Sequence, residues 1–479
     1  MTHWDILWAF VFVGLALLAG KGLRRLFPVL TNLFLPSSVL GGAVALLVGP
    51  QMLGALAAWL QPGGGGWLER GLIPEAVQGA WRGLPGLLIN VVFAALLLGK
   101  PIPGLREIWR KAGPQVAFGQ TLAWGQYVVG IGLGLVVLSP FFGLPPMAGA
   151  LIEIAFEGGH GTAAGMSGTF REMGFEAGAD LALALATVGL VVAVVSGTLM
   201  VNWAARRGLL PHSAGLPVAK AVHPGDTGLD EDMTEEQHEL VWQKQQELKP
   251  TDPLSIHLAI TGMAIGIGWI FQRLLVGLEA ATWARGGGVE VMRFIPLFPL
   301  AMLGGVLVQV VMDRTGTSHH INRRMMNRIS GSALDFTIVA ALGTLSIAAI
   351  RAHWAPLLLM SVAGLAWNLF GVFVIAPRLI PEYWFPRAVC DYGQSTGVTV
   401  TGLLLLRMAD PANESGTLES FGYKQLLFEP IVGGGLFTAA SVPLIVQFGP
   451  LPVLALTGGL LLFWLITGHL MFRHYRRKR

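Results

Sequence analysis

The chain is dominated by apolar runs about as long as a bilayer is thick, repeated from one end to the other. They lie at 4–20, 38–60, 84–99, 115–139, 180–204, 254–276, 294–312, 333–350, 355–376, 429–447 and 451–471. A helix needs roughly 20 apolar residues to cross the hydrocarbon layer. Lipid offers no hydrogen bonds, so a spanning segment must satisfy its backbone internally, as a helix does. The runs are continuous rather than alternating, so the pattern predicts an all-α integral membrane protein with eleven spans. Composition agrees. Only 13% of the 479 residues are charged, against about 25% in a soluble domain. The 64 glycines suit closely packed or interrupted membrane helices.

Charge fixes the expected orientation. Lys21, Arg24 and Arg25 follow the first run, the reverse of a cleavable signal peptide. The loops 21–37, 100–114, 205–253, 313–332 and 377–387 and the tail Arg473–Arg479 are rich in Lys and Arg; the loops 61–83, 140–146, 277–293, 351–354 and 448–450 carry fewer. The positive-inside rule then places the N-terminus outside and the C-terminus in the cytoplasm of a bacterial inner membrane. It also explains the net charge of +4 without nucleic acid. Five spans precede the hydrophilic, acidic and Gln-rich stretch 205–253 and five follow it. An odd number of spans inverts the second half, so the expected plan is two inverted five-helix repeats. These are 1–204 and 254–447, joined by a cytoplasmic linker 205–253, with 448–479 as an extra helix and basic tail. Inverted repeats with broken helices are a transporter architecture.

Two segments, near 147–166 and 388–408, are apolar but interrupted, and read as re-entrant or discontinuous helices. The first contains Glu153, Glu157, Gly158, Gly159, His160, Gly161 and Thr162. The second contains Asp391, Gly393, Gln394, Ser395, Thr396, Gly397, Thr399 and Thr401. Glycine pairs unwind the backbone, and the freed groups must line a protein-buried or wet site. Freed carbonyls suit Na+, and half-helix N-termini suit a carboxylate. Ionisable residues inside a membrane mark function by default. Gly158 to Thr162 and Gly393 to Gly397 are therefore the expected substrate-binding residues. Glu153, Glu157, Asp391, Thr399 and Thr401 are the expected coupling residues, with Na+ at Glu157, Asp391 and Thr399. Glu153 and Glu157 share a face if the segment is helical, and Glu153 reads equally well as meeting water in a funnel. Asn90 and Asn368 read as interhelical hydrogen bonds. Glu429 reads as an acid at a helix start.

Gly158-Gly159-His160-Gly161-Thr162 resembles the first signature loop of the bacterial sodium/glutamate symporter family. Leu35 to Gly42, Ala186 to Val191, Gly393 to Thr401 and Glu429 to Gly433 resemble further pieces of that family, in the family's order. The resemblance implies Na+-coupled glutamate uptake, inverted five-helix repeats, signature loops entering from opposite sides, and a homodimer working by an elevator motion. The chain differs from the family pattern in Glu157, Asp391, Ser395 and the final span. A proton-coupled carrier or antiporter using Glu157 and Asp391 is the second reading. A membrane-embedded enzyme is the third, for which no catalytic set is evident. There is no GxxxxGK[ST] phosphate loop. The only cysteine, Cys390, allows neither an internal disulfide nor a cysteine cluster. The expected partners are a small solute, Na+ or H+ and the lipid bilayer, with no organic cofactor.

Overall fold

A computed structural model describes residues 3–32, 35–60, 67–100, 102–211, 252–285 and 288–476. Among these, every regular element is a helix and there is no strand. Most of the expected linker 205–253 and the end of the basic tail lie outside the described residues. Eight helices are long and apolar enough to cross a membrane: His3–Leu26, Ser37–Leu60, Leu105–Phe142, Gly178–Arg206, Pro253–Ala281, Leu297–Thr315, Trp354–Leu379 and Pro450–Met471. Leu18, Phe141, Val362 and Leu462 are among the large side chains on their exposed faces, a surface that lipid covers.

The other three expected spans differ in form. The run 84–99 is the shorter helix Leu84–Ala95. The run 333–350 belongs to Arg323–Gly343, which starts earlier because the Asn322 side chain accepts from the N–H groups of Arg324 and Met325. The run 429–447 becomes Leu436–Phe448, because Gly433 and Gly434 hold the chain open at φ 69° and 101°. Glu429 consequently caps the end of the helix Thr417–Phe428 rather than starting one.

The helices sort into two packed groups, and each half of the chain contributes to both. His3–Leu26, Ser37–Val48, Leu84–Ala95, Pro253–Ala281, Leu297–Thr315 and Arg323–Gly343 pack with one another. Leu105–Leu133, Gly178–Arg206, Trp354–Phe370, Trp384–Ala409, Thr417–Phe428 and Pro450–Arg476 form the second group, which holds the second interrupted segment, while the first segment lies between the two groups. Close approach relies on missing side chains. A Cβ on Gly20 would lie 2.2 Å from the Ser37 carbonyl oxygen, and one on Gly304 would lie 2.1 Å from that of Ala264.

One local detail occurs in both halves. Leu105–Leu133 widens into a π-turn at Gly134–Leu138 just before Pro140, and Trp354–Phe370 does the same at Gly371–Ile375 just before Pro377. Proline lacks the N–H that would close the normal turn, so each helix loosens one turn earlier. The two stretches read Gly-Leu-Val-Val-Leu-Ser-Pro and Gly-Val-Phe-Val-Ile-Ala-Pro.

Candidate functional site

The second interrupted segment is a hairpin. Within Trp384–Ala409 the helical backbone fails at Gly397 (φ −148°, ψ 33°) and Val398 (φ 70°, ψ 167°). A straight helix would separate residues 393 and 402 by about 13 Å. Here a Cβ on Gly393 would lie 2.7 Å from the Gly402 Cα, and one on Gly402 would lie 2.4 Å from the Cys390 carbonyl oxygen. The chain reverses between them. Glycine at both positions lets the two arms touch backbone to backbone.

Reversal frees backbone groups, and the fold supplies partners. The Ser395 carbonyl accepts from Gln126 Nε2 and from Asn368 Nδ2, both at 2.6 Å. Asn368 also donates to Thr396 Oγ1 at 3.0 Å, and Gln126 donates to Asn368 Oδ1 at 3.1 Å. Thr401 Oγ1 donates to the Gly397 carbonyl at 2.5 Å. Asn368 is thus interhelical, as expected, whereas Asn90 donates to Gly86 and Leu87 of its own helix. Asn368→Ala removes two donors from the turn. A lost buried partner costs about 1–3 kcal/mol, so a lower unfolding temperature in detergent is expected, with insertion unchanged.

The first interrupted segment meets the second at its tip. The helix Leu151–Phe156 ends at Glu157 and Gly158, and Gly159 takes φ 66° before helix resumes to Gly165. A Cβ on Gly159 would lie 2.2 Å from Val398 Cγ1. Val398 holds a positive φ that a β-branched residue rarely adopts, and its side chain fills the space left open over Gly159. Gly161 and Gly165 face Ile89, Leu334 and Phe298. The turn 430–435 forms a third arm, with Gly434 packed on Thr162.

Three acidic side chains are buried around this junction, each in different surroundings. Glu153 is fully buried and accepts from Tyr127 Oη (2.5 Å), Gly433 N (2.8 Å) and Thr438 Oγ1 (2.9 Å). It does not meet water in a funnel. Asp391 is fully buried and paired with Lys424, Nζ to Oδ1 at 2.7 Å. Glu157 is 4% exposed, and among the described residues neither of its carboxylate oxygens has a hydrogen-bond partner. The buried oxygens Gln126 Oε1, Thr162 Oγ1, Asp391 Oδ2 and Ser395 Oγ also lack partners. The Ser395 hydroxyl lies beside Glu157, although no hydrogen bond closes. His160 does not pair with Glu157. Its Nε2 lies 2.9 Å from Thr187 Oγ1, whose proton goes to the Leu183 carbonyl. Thr399 Oγ1 accepts from Gln425 Nε2 at 3.1 Å.

Tyr127, Gln126, Lys424, Gln425 and Thr438 were not expected from the sequence. Gln115, Gln120 and Gln126 inside one apolar run were the available signal for the first helix, since polar groups there need partners in protein. Lys424 lies in a segment that reads as an ordinary polar connection.

A search of curated protein sequences returned no match. Residues 87–389 match the sequence profile of a family described as sodium/glutamate symporter. The matched region holds the whole first interrupted segment and both amide side chains that secure the second. On that match over more than half of its length, the chain, a multi-pass membrane protein, belongs to the sodium/glutamate symporter family.

Proposed function

We propose that the chain is a secondary active transporter that uses a Na+ gradient to move glutamate or a related amino acid or organic carboxylate. The carrying observation is the junction of two broken helices beside Glu157, a buried carboxylate with no donor. An ionised carboxylate inside a membrane protein needs a cation, a basic partner or a proton. The unpartnered oxygens nearby are carboxylate, hydroxyl and amide oxygens, the hard donor set that suits Na+. Glu157, Thr162, Ser395 and Gln126 would hold it, while Asp391 is half occupied by Lys424 and Thr399 by Gln425. Gly158 to Thr162 and Gly393 to Gly397 remain the proposed substrate-facing backbone. An anionic substrate also fits a recess of about 300 Å³ lined by Arg82, Arg171, Glu172 and Arg293, which reaches the first segment at Gly165. Arg82 and Arg293 belong to stretches that charge assigns to the outer side.

The finer points follow the same reading. The paired Gly-to-Pro π-turns at 134–140 and 371–377 support two inverted repeats. The separation into two helix groups suits an elevator motion of the group that carries the junction. Re-entrant entry of the two segments, a homodimer, an outside N-terminus, a cytoplasmic C-terminus and a bacterial inner membrane stay within this proposal. Proton coupling is the second reading, favoured by the same observation, since a proton would equally satisfy Glu157.

Proteoliposomes test both. Uptake of a panel of amino acids and dicarboxylates is expected under an inward Na+ gradient. Accumulation driven by a proton gradient alone would favour the second reading. No accumulation of any member under either gradient would overturn the proposal.

A further inference from the structure

The fold supplies a cation of its own at the second interrupted segment. The Lys424 side chain is completely buried, as is that of Asp391. Its Nζ donates to Asp391 Oδ1 and to Gln394 Oε1, both at 2.7 Å. The Phe428 ring lies over the ammonium, 4.2 Å from its centroid, with the Phe421 ring at 5.0 Å. The facing helix is cut away for it: a Cβ on Gly119 would lie 2.6 Å from Lys424 Cε and 2.8 Å from Nζ. Gln394 donates on to Gln425, and Gln425 donates to Thr399, which ties the seat to the far arm of the hairpin.

This seat is complete. An ammonium has three donors and no acceptor. Two point at oxygens, and aromatic faces cover the remaining side, where a cation is favoured. A completely buried ammonium with its donors occupied has nothing left for a substrate carboxylate. A dehydrated Na+ makes the same demand as this ammonium, one positive charge ringed by oxygens, and Asp391 and Gln394 supply those oxygens.

The charges around the junction then divide. Glu153 is held by three neutral donors, Glu157 by none, and Asp391 by Lys424. We propose that Lys424 stands in the place of a coupling cation at the second segment. Its ammonium neutralises Asp391 permanently, the seat at Asp391 takes no Na+, and cation dependence is confined to the side of Glu157. The inference rests on the reading of the chain as a Na+-driven transporter.

Sodium binding to the purified full-length protein tests it without relying on uptake. The measurements are the number of Na+ bound per chain by isotope equilibrium and the rise in Tm with NaCl against choline chloride. Lys424→Gln is expected to bind one Na+ more than the parent and to gain a larger Na+-specific rise in Tm. The double variant D391N/K424Q should lose that gain. Asp391→Asn alone, with Lys424 kept, should bind as many Na+ as the parent, and this arm decides the matter even if Lys424→Gln does not fold. Unchanged Na+ binding in folded Lys424→Gln would overturn the proposal, as would loss of a Na+ in Asp391→Asn. A parent that binds no Na+ and transports nothing under a Na+ gradient would instead defeat the transport reading. A gain in Lys424→Gln would still identify the seat.

Discussion

Glu157→Gln should leave the protein inserted and folded and remove the dependence of transport on the driving cation. Glutamine keeps the size of the side chain and deletes the charge. The carboxylate has no hydrogen-bonding donor to lose, so the substitution breaks no hydrogen bond, and relief of a buried charge favours the folded state. Cation binding is a different matter. Removing even an outer partner of a metal site costs about 10–100-fold in affinity, and a direct charged ligand should cost at least as much. Uptake as a function of Na+ concentration, with pH varied in parallel, is the measurement. The half-saturating Na+ concentration should rise at least tenfold, or activation by Na+ should disappear. A glutamine variant with the parent's Na+ and pH profiles would show that Glu157 is not part of coupling.

Gly402→Ala should be a strongly damaging single-methyl addition at the site. The added carbon would stand 2.4 Å from the Cys390 carbonyl oxygen. That neighbour is backbone in the opposite arm of the hairpin, so no side chain can turn aside. Overpacking typically costs about 1–3 kcal/mol, and a backbone obstacle belongs at the upper end. The arms would have to separate, which would carry Ser395 away from Gln126 and Asn368. The expected result is a lower unfolding temperature together with loss of substrate uptake. Gly422→Ala is the control. A Cβ there meets nothing within 4 Å, and alanine is favoured over glycine inside a helix by roughly 0.5–1 kcal/mol. Equal behaviour of the two variants would refute the hairpin contact.

Much of this architecture was legible because membrane insertion is a local, compositional matter. Runs of apolar residues marked the eight long helices, and glycine pairs beside polar residues marked both interrupted segments. What escaped was long-range. Lys424 looks in sequence like part of a polar connection, with Asp410, Glu414 and Glu419 before it. Nothing in its spacing announces that the helix Thr417–Phe428 will turn it onto Asp391. Glu153 could be read either way because two of its three donors, Gly433 N and Thr438 Oγ1, belong to the other half of the chain. Glu429 was placed at a helix start because Pro430 follows it, and the positive φ of Gly433 and Gly434 postpones the helix to Leu436. Gly161 and Gly165 lie against Ile89, Leu334 and Phe298, whereas Gly159 serves the contact between segments.

The hydrogen bonds to Glu153 also bear on the order in which the protein is made. Two of its three donors lie 280 and 285 residues downstream. A ribosome therefore delivers the first half with that carboxylate unfinished, and the missing partners arrive only with the last tenth of the chain. Until then the nascent first half must keep Glu153 wet or protonated. The closing of this acceptor late in synthesis makes the earliest helices wait for the latest, so that a truncated product cannot settle into a finished core.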